Sequence, residues 1–297
     1  MGGAGLSFAS MNEMQSIAFS PDDIAAAARI IAAVEAGTTV RDVEHAGTRV
    51  RWRSAGEGPP LVLLHGGHGS WRHWIRNVQA LARRYTVWLP DLPSYGESGT
   101  LPPPGDWDQL IATTAATLDQ LVGAHTEIHL AGFSFGGLCA ARLAAHRGHV
   151  DRLALLGAAG HGTPRRQQTA MVNWRRASGE QALLDDLRHN LRALMLHDER
   201  RIEALAMAVH RQACETTRFR SKALSLGNAM TPLLDQFSMP MLLLWGEHDV
   251  TAYPDRVGPM WVQGRPERTW RVVADAGHWV QFEQAEEVNG LLLEFFG

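Results

Sequence analysis

From Leu61 onward the chain alternates short, unbroken apolar runs with longer stretches of helical spacing. The runs are Leu61–Leu64, Tyr85–Leu89, Glu127–Ala131, Leu153–Leu156, Met241–Trp245 and Trp270–Val273. Between them, Trp71–Ala82, Trp107–Val122, Phe135–Ala145 and the terminal Ala285–Phe296 read as helices. A strand with water on one face alternates apolar and polar residues, whereas a run apolar throughout belongs to a strand covered on both faces. The pattern predicts an α/β fold: a mostly parallel sheet flanked by helices, right-handed crossovers, and a ligand crevice at the carboxyl ends of the strands.

Upstream, Ser20-Pro21-Asp22-Asp23 announces a helix through a capping side chain, a proline in the first turn and two carboxylates at the positive end of the dipole. It should run through Ala25–Glu35 and stop at Gly37. Thr48–Trp52 then alternates like a half-buried strand at an edge or in a first pair, and Gly56-Glu57-Gly58-Pro59-Pro60 turns the chain. One interval breaks the later rhythm. Between Gly157 and about Met239 no strand-like run occurs, and Gln181–Leu196 and Glu199–Cys214 carry helical spacing. A stretch that long is no ordinary loop, and it predicts a helical cap inserted into the core. The expected organisation is an N-terminal extension at 1–37, a core from 38–157 and 230–297, and a cap at 158–229.

Composition narrows the function classes. The 297 residues are 45% hydrophobic and 20% charged with a formal net charge of −3, which fits a soluble globular protein with a large core. No basic tract marks a nucleic-acid footprint, and Arg165-Arg166 and Arg200-Arg201 read as isolated, solvated pairs. Cys139 and Cys214 match no metal-ligand spacing and read as buried free thiols. Met1–Ser20 lacks the build of a signal peptide, and no apolar run reaches membrane-spanning length. The expectation is a cytoplasmic protein with a loosely ordered start, a small-molecule substrate, and no nucleic-acid or membrane partner. Nothing in the chain argues against a homodimer.

The strongest chemical signal is Gly132-Phe133-Ser134-Phe135-Gly136-Gly137, placed between a strand and an Ala-rich helix. A sharp strand-to-helix turn there lifts the Ser134 hydroxyl to the top of the sheet, and the flanking glycines leave room for it. Serine alone is a weak nucleophile and needs a base held by a third group. His278, in Gly277-His278-Trp279 after the last strand, suits the base. Asp249, in Gly246-Glu247-His248-Asp249 after Met241–Trp245, suits the orienting acid, with Glu247 and Asp255 as competitors. The order Ser134, Asp249, His278 leaves room for the cap before the acid.

His65-Gly66-Gly67-His68-Gly69-Ser70 follows the strand Leu61–Leu64. Its amides can approach the serine turn, so the Gly67 and Phe135 N–H groups are the expected oxyanion donors. A phosphate cradle is the rival reading of such a loop, but the Lys-Ser/Thr pair of a P-loop is absent. His68 and Phe133 stand where they could meet substrate. Of the tryptophans, Trp71, Trp74, Trp174, Trp245 and Trp279 lie near the expected site loops or the cap and could line an apolar pocket, with Trp279 an expected substrate contact. No metal or organic cofactor is called for.

These segments together resemble the α/β-hydrolase superfamily, from about Thr48 to the C-terminus. Asp91-Leu92-Pro93-Ser94-Tyr95-Gly96-Glu97-Ser98 resembles a structural loop of that family, with Ser94 where glycine is usual. A serine at the turn sets the chain apart from haloalkane dehalogenases and epoxide hydrolases, which use a carboxylate. Finer similarity, carried by His65-Gly66-Gly67, Arg76-Asn77 and Gly277-His278-Trp279-Val280-Gln281-Phe282-Glu283, is to the meta-cleavage-product C–C hydrolases. Those usually have asparagine where Phe133 stands and a cap arginine for the substrate carboxylate, a place Arg211 or His210 could take. The resemblance implies an α/β-hydrolase fold with an inserted helical cap. It also implies a serine hydrolase acting on an ester, thioester or lactone with an apolar acyl or aromatic portion. The alternatives are C–C hydrolysis of a vinylogous diketone and a hydrolase-fold receptor with little turnover.

Overall fold

The computed structural model describes residues 19–297, so the expected loose start and residues 1–18 of the 1–37 extension lie outside the described residues. Among those described, eight strands form one sheet: β1 (Thr39–His45), β2 (Thr48–Ala55), β3 (Pro60–Leu64), β4 (Thr86–Pro90), β5 (Ile128–Phe133), β6 (Val150–Leu156), β7 (Met241–Gly246) and β8 (Arg268–Val273). Their order is β1-β2-β4-β3-β5-β6-β7-β8. The first two pairings, β1 with β2 and β2 with β4, are antiparallel, and all later ones are parallel.

Successive residues of the central strands point to opposite faces, and both faces are covered. Leu61, Leu63, Ala131, Phe133, Ala154, Leu156, Leu242 and Leu244 enter one core cluster. Val62, Leu64, Leu130, Leu153, Leu155, Leu243 and Trp245 enter the other. That division is the physical reason for the unbroken apolar runs. Helices α1 (Pro21–Ala36) and α2 (Val78–Leu81) serve the first cluster; α3 (Trp107–Val122) and α4 (Phe135–Arg147) serve the second. Ser20 and Asp23 cap α1 reciprocally, the Asp23 N–H donating to Ser20 Oγ at 3.1 Å and the Ser20 N–H to Asp23 Oδ2 at 3.0 Å.

Two local expectations change. Trp71–Ala82 is not one helix but a 3₁₀ turn over Trp71–Trp74 followed by the single turn α2. The Trp71 N–H is drawn off to Asp91 Oδ1 at 2.9 Å, and Asn77 spends its amide on Gln281 O and Asn289 Oδ1. Strand β1 goes unseen in the apolar pattern because it is an exposed edge, with Asp42 paired to Arg49 and Arg51 of β2.

Between β6 and β7 lie α5 (Glu180–Asn190), a π-helical turn (Leu191–Met195), α6 (Ala204–Thr216), α7 (Lys222–Leu226) and α8 (Met230–Leu234). The expected helices Gln181–Leu196 and Glu199–Cys214 are thus each broken, the first into a π turn and the second by a 3₁₀ turn at Glu199–Arg201. The chain closes with α9 (Pro254–Val262), α10 (Val280–Glu283) and α11 (Ala285–Phe296). Among the described residues no helix is long and apolar enough to cross a membrane.

Candidate active site

Strand β5 ends at Phe133 and α4 begins at Phe135, leaving Ser134 alone at the corner with φ 55° and ψ −119°. A non-glycine residue pays strain for a positive φ, and such strain concentrates where a side chain must be presented. Backbone bonds hold the corner: the Ser134 N–H donates to Leu156 O at 2.8 Å, and Ser134 O accepts from the Gly137 and Ala159 amides at 3.0 Å. Glycine is required on either side. A Cβ on Gly132 would lie 2.2 Å from Gly136 O, and one on Gly136 would lie 2.2 Å from His65 O.

The Ser134 hydroxyl stands 2.9 Å from His278 Nε2, and His278 Nδ1 stands 2.9 Å from Asp249 Oδ2. With the ring neutral and its proton on Nδ1, Ser134 O–H donates to Nε2 and the imidazole donates to the carboxylate. Asp249 is fully buried and His278 nearly so. Burial alone would raise the Asp249 carboxyl. The adjoining His278 ring and the Thr251 hydroxyl and amide, each 2.7 Å from Oδ1, outweigh burial and hold it below the ordinary aspartate range. The loops carrying Asp249 and His278 are zipped together, the Glu247 N–H donating to Val273 O and the His248 N–H to Ala276 O, both at 2.8 Å. Glu247 and Asp255, the rival acids, are exposed.

The glycine loop runs beside this corner. A Cβ on Gly66 would lie 3.2 Å from Ser134 Cβ, and one on Gly67 would lie 2.6 Å from Ser221 Oγ. Two buried imidazoles prop the loop: His73 Nδ1 accepts the Gly66 N–H at 3.2 Å, and His65 Nε2 accepts the Leu92 N–H at 3.0 Å. Burial lowers the pKa of both rings, which suits them as neutral acceptors. The Phe135 N–H is the first of α4 and has no intrahelical acceptor. Gly67 and Phe135 both line the cavity above Ser134.

That cavity, of about 650 Å³, is walled below by Phe133, Ser134, Gly157, Thr251 and His278, and above by Arg165, Met171, Leu194, Met195, Ser221 and Lys222. A second chamber of about 280 Å³ shares Gly67, His68, Met171, Leu194 and Met195 with it and continues to Val172, Trp174, His210 and Cys214. Burial and the neighbouring His68 push the His210 pKa down to about 4, and burial pushes the Cys214 thiol up to about 12, so both are neutral. Cys139 and Cys214 are buried free thiols.

Of the four expected substrate contacts, His68 and Phe133 line the cavity. Trp279 does not: it is fully buried, donates Nε1–H to His73 O at 2.9 Å and stacks on Phe282. Arg211 is turned to the surface, bound to Glu180 and to Glu215 at 2.9 Å, and lines neither chamber. Trp71, Trp74 and Trp245 are core residues, while Trp174 lines the second chamber. Arg165, which reads as solvated in the sequence, is half-buried in the cavity wall, and its Nη2 donates to Ser225 O at 3.4 Å. Lys222 lies on the same wall. Neither carries a local sequence signal, because the irregular chain after β6 sets their direction.

The chain is 33% identical over 270 residues to a Pseudomonas putida protein named dihydrolipoyllysine-residue acetyltransferase component of acetoin cleaving system, covering 87% of this chain and 70% of that one. It is 29% identical over 292 residues to a 2-hydroxy-6-oxononadienedioate/2-hydroxy-6-oxononatrienedioate hydrolase of Paraburkholderia phymatum, covering 92% and 96%. Solved structures of the same fold include an esterase from a Rhodococcus species, with TM-score 0.71, 23% identity and coverage of 87% and 98%. Another is a meta-cleavage product hydrolase from Pseudomonas fluorescens, with TM-score 0.67, 21% identity and coverage of 86% and 97%. The sequence model of the alpha/beta hydrolase family matches residues 61–291. That match begins at the strand before the glycine loop and takes in the serine corner, the buried aspartate and the histidine, so the chain belongs to the alpha/beta hydrolase family, as one of its enzymes.

Proposed function

We propose that this enzyme is a serine hydrolase that cleaves an ester, thioester or lactone of a small, largely apolar substrate through an acyl-enzyme. The observation that carries the reading is the unbroken relay Ser134–His278–Asp249, at 2.9 Å and 2.9 Å, opening onto a cavity of about 650 Å³. Ser134 Oγ attacks the acyl carbonyl as its proton passes to His278 Nε2. Asp249 holds the ring in the tautomer this needs and stabilises the imidazolium that forms. The carbonyl oxygen becomes an oxyanion against the Gly67 and Phe135 amides. His278 then gives its proton to the leaving group, and water activated by the same ring releases the acid.

The second chamber, with Met171, Val172, Trp174, Leu194 and Met195, suits an alkyl or aromatic group, and the 158–229 cap would set its size. We place the enzyme in the cytoplasm, a reading supported by its two unpaired cysteines. A second reading, C–C hydrolysis of a dienoate, is favoured by Arg165 and Lys222 in the cavity, where they could meet a carboxylate, and by the names of several relatives. The test is a panel of p-nitrophenyl esters, lactones and one ring-cleavage dienoate, run with wild type and Ser134→Ala and paired with fluorophosphonate labelling. Faster loss of the dienoate than of any ester selects the second reading. Ester turnover by Ser134→Ala equal to wild type refutes the nucleophile.

A further inference from the structure

The carboxyl group of Glu283 lies at the end of α10, outside the relay, and only 2% of the residue is exposed. Its partners come from two distant parts of the chain. Oε1 accepts the His197 N–H at 2.8 Å and the Asp198 N–H at 3.0 Å, in the loop that follows the π turn. Oε2 accepts the Gly277 N–H at 2.6 Å, one residue before His278. Both oxygens accept, and neither is used as a donor, which is the pattern of a carboxylate rather than a carboxylic acid. Burial raises the pKa of Glu283, opposed by the Asp198, Gly277 and His197 amides. A buried charge of this kind is a costly way to close a loop if closure alone were needed.

The two segments joined by Glu283 also touch directly. A Cβ on Gly277 would lie 2.7 Å from the His197 nitrogen, and the Trp279 N–H donates to Met195 O at 2.7 Å. His278 is therefore flanked by residues pinned to the end of the π turn, and that turn supplies Leu194 and Met195 to the wall of the cavity. The ring of His197 stacks on His248, next to the acid Asp249, with centroids 3.5 Å apart.

We propose that Glu283 is a positioning residue for His278: its carboxylate draws the His197–Asp198 segment and Gly277 to one point, fixing the imidazole relative to Ser134 and to the Leu194–Met195 wall. The inference rests on the hydrolase reading above. It concerns geometry and not proton transfer, since Glu283 touches none of the reacting groups.

The test is Glu283→Gln in the full-length enzyme. Glutamine keeps the shape but offers one acceptor oxygen and one NH₂, so at least one of the three backbone donors faces another donor. A displacement of the base by a fraction of an ångström should lower kcat about tenfold to a hundredfold, with KM for a small p-nitrophenyl ester unchanged within about twofold. The rate of Ser134 labelling by a fluorophosphonate should fall in proportion. The downfield NMR proton of the His278–Asp249 bond should shift or broaden, a change that loss of stability alone would not produce in the folded protein. Wild-type kcat with an unmoved proton overturns the inference.

If Glu283→Gln does not fold, Asp198→Pro replaces it. The φ of −87° at Asp198 lies close to proline's range, and the change deletes one donor to the carboxylate together with the side-chain cap on the Arg200 N–H. A smaller loss of kcat with a shifted proton supports the inference, and wild-type values for both overturn it. The NMR reading needs no substrate. If wild type hydrolyses nothing and resists labelling while the proton still moves in the variant, the hydrolase reading fails and the positioning role stands. An active wild type with an unaffected variant sinks the positioning role alone.

Discussion

Gly157 closes the back of the relay. It follows β6 with φ 51°, and a Cβ built on it would lie 3.0 Å from Asp249 Oδ2 and from His278 Cε1 and Nδ1. Carbon contacts are at rest near 3.5–4.0 Å, so Gly157→Ala forces the imidazole or carboxylate back by about half an ångström. Neither has room, since both are buried in a bonded network. The left-handed backbone adds strain of about 1–2 kcal/mol once a Cβ is present. In a chain of this size that strain alone should lower Tm by about 2–3 °C. Displacing the base from a 2.9 Å bond should lower kcat about tenfold to a hundredfold, with KM little changed because the atoms nearest the added Cβ are those of Asp249 and His278 rather than the apolar wall of the cavity. Gly264→Ala is the control: its φ is 69°, and nothing lies within 4 Å of its added Cβ. It should lose similar stability and keep kcat. The assay is steady-state hydrolysis of a p-nitrophenyl ester beside calorimetric melting. If Gly157→Ala turns over within twofold of wild type while both variants melt alike, the contact with the relay has no kinetic meaning and the reasoning is wrong.

Thr251→Val removes a hydroxyl that donates to the buried Asp249 carboxylate at 2.7 Å, and should cost about 1.5–3 kcal/mol in urea melts at neutral pH. Asp249 has a folded-state pKa held below 3.8, so its contribution to stability is full above that value and lost as the pH falls below it. The melting curves of wild type and of the Thr251→Val variant should therefore converge in acid, and a constant gap across that range would contradict the assignment. Arg165→Met should raise KM for a carboxylate-bearing substrate about tenfold or more, and leave a neutral ester within about twofold. Equal effects on both would place the guanidinium outside the binding mode. Arg211→Ala, which breaks only surface pairs with Glu180 and Glu215, should change stability by less than about 1 kcal/mol and leave KM alone for either substrate.

The parts of the site that read clearly from sequence are those whose residue types are fixed by backbone contact. Gly132 and Gly136 admit no side chain, Ser134 must follow a strand, and Asp249 and His278 follow apolar runs that reveal where strands end. Residues chosen by side-chain direction do not read in this way. Arg211 and Arg165 are both arginines in the interval between β6 and β7, and only the packing of that interval turns one to water and the other to the cavity. Trp279 sits beside the base in sequence, yet its ring is drawn into the core by the His73 carbonyl and Phe282. The same limit applies to the fold. Continuous apolar runs mark the buried strands, whereas β1, charged and at the edge, leaves no such trace, and tertiary bonds from Asp91 and Asn77 divide what spacing alone reads as one helix.

Ser134, Gly157, Asp249 and His278 follow four strands that are immediate neighbours, β5, β6, β7 and β8. At about 4.8 Å per strand, β5 and β8 stand about 14 Å apart, so the loop after β8 carries His278 back over the sheet to Ser134, whatever the length of chain between them. The interval between β6 and β7 can lengthen at a closure cost that grows only logarithmically, about 0.6 kcal/mol for each doubling. The order of synthesis has a further effect. Nucleophile and base are 144 residues apart, and the strand that delivers the base is the last of the sheet. On the proposed mechanism, a growing chain therefore carries Ser134 without its partner until β8 docks, and it stays chemically silent until then.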